Sequence, residues 1–178
     1  YDKVNHLVKK YQTRNPDELI HDLNIHLIYM DATESLLGMY RVIFRNRFIF
    51  LPNNVGSLRK TVLAHELGHD QLHRKECVKG ATFHESRIFQ PTNRFEMEAN
   101  IFAAHLLIPD EDIITMIQYA KNDRELADEL GVDINLLNLK ISEMAKMNLL
   151  EIEQSNLQRP DSGFLKNYKP RDDDWNDC

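Results

Sequence analysis

Apolar residues recur at helical spacing at Val4, Leu7, Val8 and Tyr11, which predicts a helix at the start of the chain. Asn15-Pro16 opens a second short one, with Asn15 as N-cap, Pro16 in the first turn and Leu19, Ile20 and Leu23 on the apolar face. The period then changes. Ile25 to Met30 reads as a strand, and Met39 to Phe44 and Phe48 to Leu51 read as two more, joined by a turn at Arg45-Asn46-Arg47. Pro52-Asn53-Asn54 ends the sheet. Ser57 to His73 is helical in character, with Ser57 as a candidate cap. Lys75 to Thr92 has no clear period. Arg94 to Ile108 is an apolar helix stopped by Pro109, and Asp110 starts another through Ile113, Ile114 and Ile117. A short helix from Arg124, a turn at Gly131 and an amphipathic helix from Ile134 to Met147 have the shape of a helix-turn-helix.

Helices, three short strands and more helices predict an α+β fold. The expected sheet is small, three-stranded and of antiparallel type, packed on a helical core. The expected domain limits are 1–118 for that core, 119–152 for the helix-turn-helix-like segment and 153–178 for a solvated acidic tail that carries Asp172-Asp173-Asp174.

Composition narrows the function classes. The 178 residues suit one ordinary domain, and a charged fraction of 28% with 8% aromatic residues excludes collagen-like and wholly disordered classes. No apolar run approaches the roughly 20 residues of a membrane helix. Tyr1 to Lys10 is polar and amphipathic, so a secretory signal is not expected there and the expected location is the cytoplasm. With 28 acidic against 22 basic residues the chain lacks the footprint of a nucleic-acid binder. The helix-turn-helix-like segment is itself acidic, so direct DNA binding is not expected. Cys77 and Cys178 are too few for a disulfide scaffold and read as free thiols.

The chemistry is concentrated in His65-Glu66-Leu67-Gly68-His69, an H-E-x-x-H run inside a predicted helix. Residues four apart share a helix face, so His65 and His69 can offer two imidazole nitrogens to one metal ion. Glu66 lies about 100° further round, where it can serve as a general base without being a ligand. A catalytic zinc needs a third protein ligand. Lys75 stands where a third histidine six residues after His69 would be, so the third ligand is expected from a carboxylate. Glu96 and Glu98 are the candidates. Glu98 falls in the row Phe95, Ala99, Phe102, Ala103 and Leu106 and is expected to point inward; Glu96 has the more polar neighbours Asn93 and Asn100. Glu98 is therefore the expected ligand, with an ion pair to Arg94 as the competing role.

His65-Glu-Leu-Gly-His69-x-x-Leu72-His73 followed by Glu98-Ala99-Asn100-x-Phe102-Ala103-Ala104-x-Leu106-Leu107-x-Pro109 resembles the ImmA/IrrE family of metallopeptidases over roughly Ile25 to Met147. The resemblance implies a zincin-like core and a zinc endopeptidase with ligands His65, His69 and Glu98 and Glu66 as catalytic base. It also implies a substrate: an intracellular regulator such as the helix-turn-helix repressor of a phage or integrative mobile element. A non-catalytic module that binds metal and sequesters such a repressor is the alternative. Tyr40, His84 and His105 are candidate oxyanion donors, Asn100 a candidate ligand-orienting group and His73 a neighbour of the ligands. Asp70, pointing away from the metal face, is expected in solvent.

Overall fold

The computed structural model describes residues 1–32, 36–78, 83–85, 93–117, 119 and 122–150, with backbone only for 83–85. Two helices lead in, α1 (Asp2–Tyr11) and α2 (Pro16–Asp22). The strands β1 (His26–Met30), β2 (Gly38–Ile43) and β3 (Asn46–Pro52) follow. A 3₁₀ turn (Gly56–Leu58) then enters α3 (Arg59–Leu72), which is followed by α4 (Arg74–Val78) and β4 (Phe83–Glu85). The chain continues through α5 (Arg94–Leu107), α6 (Asp110–Met116), α7 (Asp123–Leu130) and α8 (Ile134–Lys146). The fold is α+β. No helix among the described residues is long and apolar enough to cross a membrane.

Local chemistry explains most boundaries. Asn15, Asn93, Asn122 and Asp133 each accept a backbone N–H in the first turn of the helix that follows. Gly131 ends α7 in the left-handed region at φ 63° and lets the chain turn sharply into α8. Ser57 does not cap: it lies within the 3₁₀ turn, and Leu58 precedes α3 without a side-chain cap. The expected loop after Lys75 contains α4 and β4; its remaining residues, and the tail at 153–178, lie outside the described residues.

The sheet departs from expectation in topology. Among the described residues it has four strands in the order β1-β3-β2-β4 and is mixed, because β1 and β3 run parallel while β2 is antiparallel to β3 and β4. The chain turns back after β1 one strand-width away, and the β2–β3 hairpin then slots β3 into the gap. That hairpin turns at Phe44-Arg45, both at positive φ (48° and 66°), one residue earlier than the sequence suggested. Register places Tyr40, Ile49 and Leu51 on the inner face, all buried.

Helix α3 is the central element. Thr61 to Asp70 is buried on every side, between the inner face of the sheet and α5. Asp70 corrects the sequence reading. It does point away from His69, but the opposite face of α3 is covered by the sheet, so its side chain is fully buried. It accepts hydrogen bonds from the Tyr40 hydroxyl (2.7 Å), Arg47 (3.2 Å), Gln71 (2.6 Å) and Arg74 (2.9 Å). Arg47 also donates to the Leu23 carbonyl. One carboxylate thus ties α3 to β2, β3 and α4, and its negative charge, together with burial, holds the Tyr40 phenol well above its ordinary range.

A second buried polar group joins α8 to α5. Lys140, 1% exposed, donates to Nδ1 of His105 (2.9 Å) and to Asp110, which also accepts from the Tyr1 hydroxyl (2.7 Å). Burial and the neighbouring Lys140 charge push His105 down to about 3. The folded protein therefore keeps this ring neutral where the unfolded chain, near 6.5, takes up a proton. The stability this gives is complete above about pH 6.5 and is lost as pH falls toward 3. His105→Gln, which keeps an acceptor for Lys140, is expected to flatten urea-unfolding stability across that window relative to the parent protein.

Candidate metal centre

Helices α3 and α5 cross where both carry small residues. A Cβ added to Gly68 would lie 2.9 Å from the Ala99 Cα and 3.1 Å from its carbonyl oxygen, so only glycine allows this approach. The contact draws the row Glu96, Ala99, Asn100 and Ala103 of α5 against α3, and all four are buried. His65 and His69 face that row. Their Nε2 atoms lie 3.0 Å apart. Oε2 of Glu96 lies 3.1 Å from Nε2 of His65 and 3.5 Å from Nε2 of His69. Gly68→Ala is expected to push the helices apart, costing about 1–3 kcal/mol in chemical denaturation and weakening metal uptake measured in parallel.

These three atoms suit a metal ion by geometry and by donor type. A tetrahedral ion with ligands at about 2.0–2.1 Å sets them about 3.3–3.4 Å apart, and the observed edges bracket that spacing. Two imidazole nitrogens and a carboxylate oxygen form a zinc-type donor set. The other ring nitrogens are already engaged: Nδ1 of His65 with Asn100 Oδ1 (2.9 Å), and Nδ1 of His69 with Nδ1 of His73 (3.1 Å). Burial depresses His69 to about 4, which keeps its ring neutral as a ligand must be. Burial opposes ionisation of Glu96, but its close contacts with the His65 and His69 rings outweigh it and hold the carboxyl well below its ordinary range.

The carboxylate brought to the histidines is that of Glu96, not that of Glu98. This corrects the expected placement. Glu98 sits at the flank of the buried stripe, its side chain one-third exposed, where it meets Arg94 Nε (2.6 Å) and His73 Nε2 (2.9 Å). Large apolar residues suggested the wrong inward row, because the closest face between two helices is the one with the smallest side chains. The overlooked signal was Glu96 at i−4 from Asn100 and i−3 from Ala99, the residue that meets Gly68.

Glu66 is fully buried one residue beyond His65. The start of β2 comes so close that a Cβ on Gly38 would lie 2.6 Å from Glu66 Oε1 and 2.5 Å from Val62. Gly38 thus gives the Glu66 carboxylate its place beneath the strand, a role invisible in the local pattern. Of the expected oxyanion candidates, Tyr40 is committed to Asp70 and His105 to Lys140. The His84 side chain lies outside the described residues. Cys77 is buried, and burial pushes its thiol up to about 12, so it stays protonated.

Comparison with known proteins fits this arrangement. The IrrE N-terminal-like domain, Peptidase_M78, matches residues 20–142, a span that holds the sheet, α3, α5 and all the residues of the cluster. The chain belongs to the Peptidase_M78 family. A relative in Bacillus phage phi105, described as uncharacterized immunity region protein 2, is 35% identical over 142 residues, covering 77% of this chain and 85% of the relative. The match to the Peptidase_M78 family begins within α2 and ends within α8, so the helix that carries Lys140 lies largely inside it.

Proposed function

We propose that this member of the Peptidase_M78 family is a zinc-dependent endopeptidase that hydrolyses a peptide bond in an intracellular protein regulator. The regulator we infer is a helix-turn-helix repressor of a phage or integrative mobile element. The observation that carries the reading is the buried triangle of His65 Nε2, His69 Nε2 and Glu96 Oε2 with the Glu66 carboxylate beside it on α3. The phage relative's description as an immunity region protein supports the choice of partner.

Bound at the triangle, zinc would polarise the scissile carbonyl and acidify a water toward neutral pH. His65, His69 and Glu96 would hold it. Asn100 fixes the His65 ring through Nδ1. Glu66 takes the proton of the attacking water on its carboxylate and returns it to the leaving amine nitrogen. Of the three bases in the C-terminal helical pair, Arg124, Lys140 and Lys146, Lys140 is withdrawn from solvent against His105 and Asp110, and the pair as a whole is acidic, which favours a protein substrate over DNA.

The test is incubation of the zinc-loaded protein with helix-turn-helix repressors from the genome that encodes it, with fragments read by mass spectrometry. Discrete fragments that vanish on chelation support the reading; an intact repressor bound to loaded protein would replace it with sequestration. Glu96→Ala should weaken zinc binding by more than the about 10–100-fold typical of losing an outer partner. Unchanged zinc content in that variant removes Glu96 from the ligand set.

A further inference from the structure

We propose that His73 and Glu98, steadied by Arg94, are positioning residues that set which nitrogen of His69 is offered to the metal. The inference rests on the metal-site reading above and extends it to three residues outside the triangle.

The proton positions follow from the donors and acceptors in sequence. The Glu98 carboxylate only accepts, and it takes the Arg94 Nε proton at 2.6 Å on one oxygen. Its other oxygen lies 2.9 Å from Nε2 of His73, so that nitrogen carries a hydrogen. In an uncharged ring the His73 Nδ1 is then a lone pair. Nδ1 of His69 lies 3.1 Å from it and donates to it when the His69 Nε2 lone pair is given to a metal ion, since a neutral imidazole carries one hydrogen. Nε2 of His69 is left as a lone pair, and it faces His65 Nε2 and Glu96 Oε2.

His65 reaches the same tautomer by a different route, donating from Nδ1 to Asn100 Oδ1. The two rings therefore present Nε2 lone pairs to one point, an arrangement that is repulsive when empty and favourable around a cation. The relay uses the geometry of a straight helix. Each step of four residues drifts about 40° round the axis. His73 has thereby rotated off the ion and onto the back of the His69 ring, where it is buried and packed against the edge of Phe95 (ring centroids 5.0 Å apart). Glu98 and Arg94, four residues apart on α5, close the chain at the surface.

Zinc affinity by chelator competition, thermal unfolding without metal, and imidazole ¹⁵N spectra of the loaded protein together test this. His73→Leu and Glu98→Gln are each expected to weaken zinc binding by about 10–100-fold. His73→Gln keeps an acceptor for His69 and a donor for Glu98, and is expected to recover much of the loss. The loaded parent protein should show His69 bound through Nε2 with a proton on Nδ1. Glu98→Gln, nearly isosteric and at the surface, decides the matter if His73→Leu unfolds. Affinity within about twofold of the parent in a folded Glu98→Gln variant, or His69 bound through Nδ1, overturns the relay while leaving the metal site standing. A parent protein that takes up no zinc overturns the metal reading itself.

Discussion

Glu66→Gln is expected to lower peptide-bond hydrolysis by about 10²–10⁴-fold while leaving zinc content unchanged. Glu66 stands outside the triangle of His65, His69 and Glu96, so its loss removes no ligand. The side chain is fully buried and packed beneath Gly38, and glutamine has nearly the same shape, so the helix and its neighbours should hold. What glutamine lacks is a carboxylate able to take a proton from water and pass it on. Turnover of the proposed repressor substrate and metal content should be measured on the same preparations. Cleavage at the parent rate would remove Glu66 from the reaction; joint loss of metal and cleavage would make it structural.

Asp70→Ala should be the most damaging change to the fold, destabilising it by about 3–5 kcal/mol in urea unfolding. The cost does not come from lost attraction alone. Asp70 has no exposed side-chain surface, and its removal leaves Arg47, itself four-fifths buried, and the Tyr40 hydroxyl facing an empty site. Stranding one partner of a buried pair costs far more than exchanging both for apolar residues. For a chain of 178 residues such a loss corresponds to a Tm lowered by on the order of 10 °C. Asp70→Asn keeps the shape and one acceptor and should cost less. An unaltered unfolding midpoint in Asp70→Ala would show that the network contributes no net stability.

The tie matters for the site because Asp70 directly follows His69. It fastens the back of α3 to β2 and β3, while Gly68 fastens its front to α5. His65 and His69 are held between these two attachments. A loosened sheet would shift Gly38 relative to Glu66, so the Asp70 variants should also raise the metal concentration needed for saturation.

Much was legible from local pattern. Periodicity located α1, α2, α5 and the α7–α8 pair to within a residue or two, with Asn15 marking the start of α2, because amphipathic spacing and an Asn cap are short-range properties. The H-E-x-x-H spacing put His65 and His69 on one face for the same reason: four residues nearly complete a helical turn, whatever the helix packs against. The parallel pairing of β1 with β3 was not legible, since strand order depends on where the chain re-enters the sheet rather than on any strand's own residues.

The sequence by itself determined most of the elements, the two histidines and the neighbouring carboxylate of Glu66. Only the tertiary structure chose between Glu96 and Glu98, buried Asp70 and Lys140 with their partners, and turned His73 toward His69. The choice between Glu96 and Glu98 depends on the angle and depth at which α5 meets α3. That crossing is set by Gly68 against Ala99, a contact between residues 31 positions apart that no single-helix period encodes.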